Sequence, residues 1–167
     1  MSLSLYQASA PVLQKSLGSL KLLLEKGAAH AGANKIDETV LLNMRLYPDM
    51  FPLARQVQIA ADFGKGTCAR LAGRDVPKYE DNETTFAQLI ARIDRTVAFI
   101  ASIPAAEIDG QENRDITLTI AGNPVPFKGQ PYLLDFALPN FYFHMSMAYA
   151  LLRHNGVGVG KRDFVAF

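Results

Sequence analysis

At 167 residues the chain predicts a single domain, 1–167, long enough to bury a substantial core. Seventeen basic against sixteen acidic residues leave a net charge of +1, which excludes a global attraction to nucleic acid or to an anionic membrane. No apolar run approaches the ~18–20 residues of a membrane span. The start, MSLSLYQASAP, lacks the regions of a signal peptide, and the single cysteine, Cys68, can form no internal disulfide. Together these features predict a cytoplasmic protein.

Leu3, Tyr6, Ala10, Leu13, Leu17, Leu20 and Leu24 recur at three- and four-residue steps, the seam of a helix bundle. They predict one helix over 2–29, kinked at Pro11, where an N–H is missing. The segment AHAGANK then serves as its exit loop. Gly18 inside this helix predicts the close approach of another, because an interior glycine costs about 0.5–1 kcal/mol relative to alanine. Asp37-Glu38-Thr39 predicts the cap of a short helix over 38–46.

A second long helix is expected over 49–72, with Pro52 in its first turn and Gly73 at its stop. Leu53, Val57, Ala60, Gly64, Cys68 and Leu71 form its core stripe, which makes Cys68 a packed, inert thiol. Arg55, Gln58, Asp62 and Lys65 gather on another side. That polar seam is either a solvated face or the wall of a polar pocket between helices. After the polar connection GRDVPKYEDNE, Thr85 and Gln88 make a capping-box pattern that opens a third helix, ending at Pro104. The period then changes. RDITLTI alternates with β-branched residues, Ala121-Gly122-Asn123 turns, and 125–127 returns as the second strand of a hairpin. A two-stranded hairpin is marginal alone, so it must lie against the helices.

The stretch FALPNFYFHMSMAYALLRHNGVGVGKRDF carries the last helix, with Asn140 after Pro139 as N-cap and Asn155-Gly156 as stop. At 100° per residue, Phe141, His144, Ala148 and Leu151 share the core face, while Tyr142, Ser146, Tyr149 and Arg153 lie opposite. Two readings of His144 stand open: a core histidine hydrogen-bonded to a neighbour, and a metal ligand or catalytic base. The glycines from Gly156 to Gly160 follow a helix instead of preceding one, so they read as a cap and flexible tail and not as a phosphate loop. Phe164 and Phe167 are expected to fold back onto the bundle or onto a partner. Four amphipathic helices with a hairpin between the third and fourth predict an all-α four-helix bundle.

The run PNFYFHMSMAYALLRHNGVGVGKRDF, with LYPDMFPLARQVQIAADFGKG upstream and DNETTFAQLIARI between, resembles the DUF1993 family of bacterial proteins. That family is grouped with the DinB/YfiT-like superfamily. The resemblance covers nearly the whole chain and implies an all-α, DinB-like four-helix bundle, up-down-down-up, that forms a homodimer. It also implies metal-dependent hydrolases and thiol-dependent transferases as relatives. Their metal site takes one histidine from the second helix and two, spaced H-x-x-x-H, from the fourth.

Carried onto this chain, that site keeps one residue of three. His144 matches a fourth-helix ligand, but Ala148 stands four residues on, and Gln58-Ile59 matches the second-helix position. An amide oxygen substitutes poorly for imidazole at a divalent transition metal. Asp62, one turn on from Gln58, is the nearest carboxylate. His144 and His154 lie about 15 Å apart along a helix at 1.5 Å per residue, too far to share an ion. The expectation is therefore a bundle with a degenerate metal site and no cofactor. A small-molecule pocket is expected near His144, with Gln58, Asp62 and Tyr149. Two alternatives remain. One is a hydrolase or thiol transferase using His144 with Asp62 or Gln58 and a divalent metal such as zinc or nickel. The other is a structural module that dimerises through Tyr142, Tyr149 and the tail.

Overall fold

The computed structural model describes residues 3–165. Helix α1 (Ala10–Asn34) places Pro11 in its first turn, where no N–H is needed, so the proline opens the helix and does not kink it. Residues before it are held by turns, and the Tyr6 N–H donates to Asp109 Oδ1 at 2.9 Å. At the other end the helix runs through AHAGAN because Ala31 is buried there, and Lys35 closes it at φ 55°. The seam from Ala10 to Leu24 is buried, whereas Leu3 is exposed.

Gly18 is not the point of close approach: a Cβ built there meets nothing within 4 Å. That role falls to Gly27, where a Cβ would come within 2.9 Å of the Phe86 ring and 3.0 Å of Leu152. Glycine spacing alone does not reveal which face of a helix meets a bulky neighbour. Gly18→Ala is accordingly expected to raise stability by about 0.5–1 kcal/mol, since it restricts the unfolded chain without a clash. A urea melt of the variant checks this, and a fall in the midpoint would contradict it.

Asp37 caps α2 (Glu38–Leu42) through the Thr39 N–H. Helix α3 (Leu53–Ala72) begins after Pro52 and ends at Gly73, φ 70°. Its stripe Leu53, Val57, Ala60, Gly64, Cys68 and Leu71 is buried, and burial pushes the Cys68 thiol up to about 12. Helix α4 (Phe86–Ala101) opens on the complete Thr85–Gln88 capping box. A one-turn helix that sequence reading missed, α5 (Ala105–Ile108), follows Pro104 and buries Ile108. Strands β1 (Asp115–Ile120) and β2 (Asn123–Lys128) pair antiparallel, with Ile120 opposite Asn123. Between them Ala121 (φ 49°) and Gly122 (φ 83°) are both left-handed, the two-residue turn whose twist matches the strands.

The last helix starts earlier than Asn140. Three helical stretches run on from the hairpin: α6 (Gly129–Pro131), a π-helical turn (Tyr132–Ala137) and α7 (Leu138–His154). Tyr132, Leu133 and Ala137 are buried, so packing holds this segment helical. Pro139 contributes no N–H and would crowd the carbonyl four residues back, and the widened π turn accommodates it. Asn140 does not cap; its Nδ2 donates to the Phe136 carbonyl at 2.7 Å.

In the bundle, α1 packs on α4, α4 on α3, and α3 on α7. The tail is not flexible over the described residues. Gly156 turns at φ 85°, Val157 and Val159 are buried, and α8 (Lys161–Val165) lies on α1. Asp163 accepts from Lys26 Nζ at 2.6 Å and from the Gly160 N–H, while Phe164 packs edge-on to Tyr149. Phe167 lies outside the described residues. Truncation after Gly160 should cost about 1–2 kcal/mol, chiefly from the half-buried Phe164 ring. An unchanged thermal midpoint would show that the tail anchors nothing.

Candidate functional site

The polar seam of α3 is only partly solvated: Gln58 and Lys65 are buried, while Arg55 and Asp62 keep 37% of their side chains exposed. Arg92, reaching from α4, has a side chain only 1% exposed and sits at the centre of a charge network. It meets Asp62 Oδ1, Asp81 Oδ1 and Glu83 Oε1, each at 2.9 Å, and donates to the Glu80 carbonyl at 3.0 Å. Burial works against its charge, but the Glu83 and Asp62 carboxylates outweigh burial and hold its pKa above the ordinary arginine value. Lys65, also buried, pairs with Asp62 Oδ1 at 2.9 Å. Arg55 pairs with Asp81 and reaches Gln58 Oε1, and Gln58 Nε2 donates to Glu83 Oε2 at 2.9 Å. Tyr79 lays its ring beneath Lys65, Arg92 and Arg95. The network ties the connection between α3 and α4 to both helices. Arg92 was legible as an oddity, since it stands three residues after Leu89 and four before Thr96, within the buried stripe of α4.

His144 lies at the margin of the core and not in its middle. Phe141, Met145 and Ala148 take the buried face, and His144 is half-buried beside them. Its Nδ1 is 2.8 Å from Gln56 Oε1, and its ring stacks on Phe63 at 6.0 Å between centroids. Gln56 donates its amide nitrogen to the Phe51 carbonyl, so its oxygen faces the imidazole. Nδ1–H is therefore the donor and Nε2 carries the lone pair. The partner is Gln56, not Gln58: two residues along a helix turn by about 200°, so the two amides serve different faces.

Burial, helped by the charge of Arg55, lowers the His144 pKa. The unfolded chain then binds a proton near pH 6.5 that the folded one refuses. The neutral imidazole's contribution to stability is full above that value and is lost as pH falls below it. His144→Ala should flatten this part of the stability–pH curve. It should also cost roughly 1–3 kcal/mol at neutral pH, because the buried Gln56 oxygen loses its donor. Urea melts across pH 5–8 on both proteins test the pair, and an unchanged slope would mean that His144 does not titrate differently on folding.

The predicted pocket residues do not form one site. Tyr149 stands on the far side of α7, against Phe164. Gln58 is committed to Glu83 and Arg55. Asp62 does line a cleft of about 300 Å³ between α3 and the hairpin, with Arg55, Ile59, Phe63, Arg70, Phe136 and the end of β1 from Leu118 to Ile120. His144 lies behind the Phe63 ring and does not line it.

The family model for DUF1993, described as a domain of unknown function, matches residues 5–165. The chain belongs to the DUF1993 family. No curated protein matches it. The crystal structure of a DinB family member protein from Shewanella denitrificans is similar to it at 38% identity and a TM-score of 0.87, covering 98% of this chain and 92% of that chain. The fold is thus a DinB-like helical bundle carrying one small hairpin.

A three-ligand metal centre of the kind the DinB resemblance implies does not fit this DUF1993 chain. Ala148 offers no donor atom and the Gln58 amide is held in the charge network, which leaves Nε2 of His144 as the one imidazole donor of the three positions. Among the described residues no group of three or more His, Cys, Asp and Glu side chains is placed to hold a metal ion. One imidazole does not meet the ligand count that zinc requires.

Proposed function

We propose that this DUF1993 protein is a cytoplasmic small-molecule-binding bundle with a degenerate metal site. The ligand sits in the cleft between α3 and the hairpin, one aromatic ring from His144. The cleft itself carries the reading: about 300 Å³, with Arg55, Asp62 and Arg70 beside an apolar wall of Ile59, Phe63, Leu118 and Phe136. Apolar walls with a few placed polar groups are what small-ligand sites share, and this volume is at the small end of their range of about 300–1,000 Å³. A hydrolytic role would require His144 Nε2 to act past the Phe63 ring. Ligand-observed NMR with a library of small fragments tests the reading, together with metal analysis of untagged protein. Fragments that compete for one site and shift the amides of Leu118, Thr119 and Ile120, with metal well below one equivalent, are expected. Stoichiometric metal would restore the hydrolase or transferase reading.

Assembly as a homodimer is a second reading, supported by a different surface from Tyr142 and Tyr149, which the chain's own tail and α1 partly cover. Tyr47, Phe51 and Phe143 are 66%, 50% and 54% exposed. Sedimentation of Phe143→Ser beside the wild type separates the two states.

A further inference from the structure

We infer that the cleft takes a small monocarboxylate with an apolar body, its carboxylate received by Arg70. The inference deepens the proposed ligand-binding function and rests on it. The cleft's three charged groups are not equivalent. Arg55 is paired with Asp81, and Asp62 is paired with both Arg92 and Lys65. Arg70 has no carboxylate partner among the described residues; its one side-chain bond runs from a terminal guanidinium nitrogen to the buried Tyr132 hydroxyl at 3.2 Å. The local charge balance of the cleft therefore lacks one anion, at Arg70.

The guanidinium is also positioned. A Cβ at Gly66 would lie 2.5 Å from one Arg70 terminal nitrogen and 3.5 Å from its central carbon. The side chain thus folds back one turn along α3, over a residue that has no side chain to obstruct it. Tyr132 fixes one end of the planar fork, and the remaining N–H groups match the two oxygens of a carboxylate. Beside the fork stand Phe63, Phe136, Ile59 and Leu118, which suit an aromatic or branched aliphatic body and offer no polar partner to a second charged group. Asp62 meets both of its cations at Oδ1, and no hydrogen bond to Oδ2 is formed among the described residues. That carboxylate edge disfavours a dianion such as phosphate and sets the ligand's charge at minus one.

The probe is 3-phenylpropanoate, titrated into the full chain by heteronuclear NMR beside its neutral amide, 3-phenylpropanamide, and inorganic phosphate. Saturating shifts at Leu118–Ile120 are expected for the acid, with the amide at least tenfold weaker and phosphate causing none. Arg70→Gln should bring acid and amide to equal affinity. Gly66→Ala keeps the charge and displaces the fork, and should weaken the acid at least fivefold without affecting the amide. Acid and amide binding alike to the wild type would overturn the carboxylate assignment while leaving the cleft a ligand site. Binding of neither, or of phosphate in preference, would also overturn it. The fragment screen still decides separately whether the cleft binds anything.

Discussion

Arg92→Met is expected to destabilise the fold by roughly 3–5 kcal/mol, the range for removing one partner from a buried ion pair. Methionine fills similar volume, so the loss reports charge and hydrogen bonding more than packing. In the wild type one guanidinium, 1% exposed, lies against Asp62, Asp81 and Glu83 and holds the Glu80 carbonyl, with only its Nε unpartnered among the described residues. Without it, Glu83, whose side chain is 7% exposed, is a buried charge left with the amide of Gln58. Asp81 keeps Arg55 and Asp62 keeps Lys65, so Glu83 should account for most of the cost. The double variant Arg92→Met/Glu83→Gln is therefore expected to recover a substantial part of the loss, a coupling that equilibrium urea melts on the four-protein cycle measure directly. Strict additivity would mean that the cost of losing Arg92 does not come from Glu83.

Much of the fold was legible because its signals were local. The 3-4 spacing of α1, the Thr85–Gln88 capping box, the β-branched alternation of β1 and the glycine stop at Gly73 each rest on neighbouring residues. What escaped was decided by distant contacts. Asn140 after a proline satisfies every local rule for an N-cap, yet burial of Tyr132 and Leu133 carries the helix upstream. The glycine-rich run from Gly156 reads as loose, yet Val157 and Val159 are buried and Lys26, on α1, ties down Asp163. The site followed the same division. Helical spacing gathered Arg55, Asp62 and their neighbours on one side of α3, but nothing local shows that Arg92 rises from α4 to meet them, or that Gly66 makes room for Arg70. Gln56 was within reach: it stands three residues after Leu53 and four before Ala60, on the side of α3 that His144 meets.

Tyr132 should be the most costly single truncation at the junction of hairpin and bundle. It is fully buried and among the largest buried side chains of the molecule, it heads the π turn, and its ring packs on Phe127 of β2 and Phe136. Tyr132→Ala is expected to cost about 3–5 kcal/mol, the range for emptying a buried aromatic site. Because Phe127 and Phe136 also pack on each other and Phe136 packs on Phe63, the loss should propagate to the cleft wall. Tyr132→Phe isolates the hydroxyl. It keeps the ring and removes the acceptor that one Arg70 nitrogen uses at 3.2 Å, so its stability cost should be about 0.5–1.5 kcal/mol. Its effect on the guanidinium should be larger than that figure suggests, since Arg70 loses its one side-chain anchor and gains rotamer freedom above Gly66. A crystal structure of Tyr132→Phe would then show Arg70 in more than one conformation, and thermal melts would place the variant far closer to the wild type than Tyr132→Ala. Equal destabilisation by the two substitutions would mean that the hydroxyl, not the ring, holds this junction together.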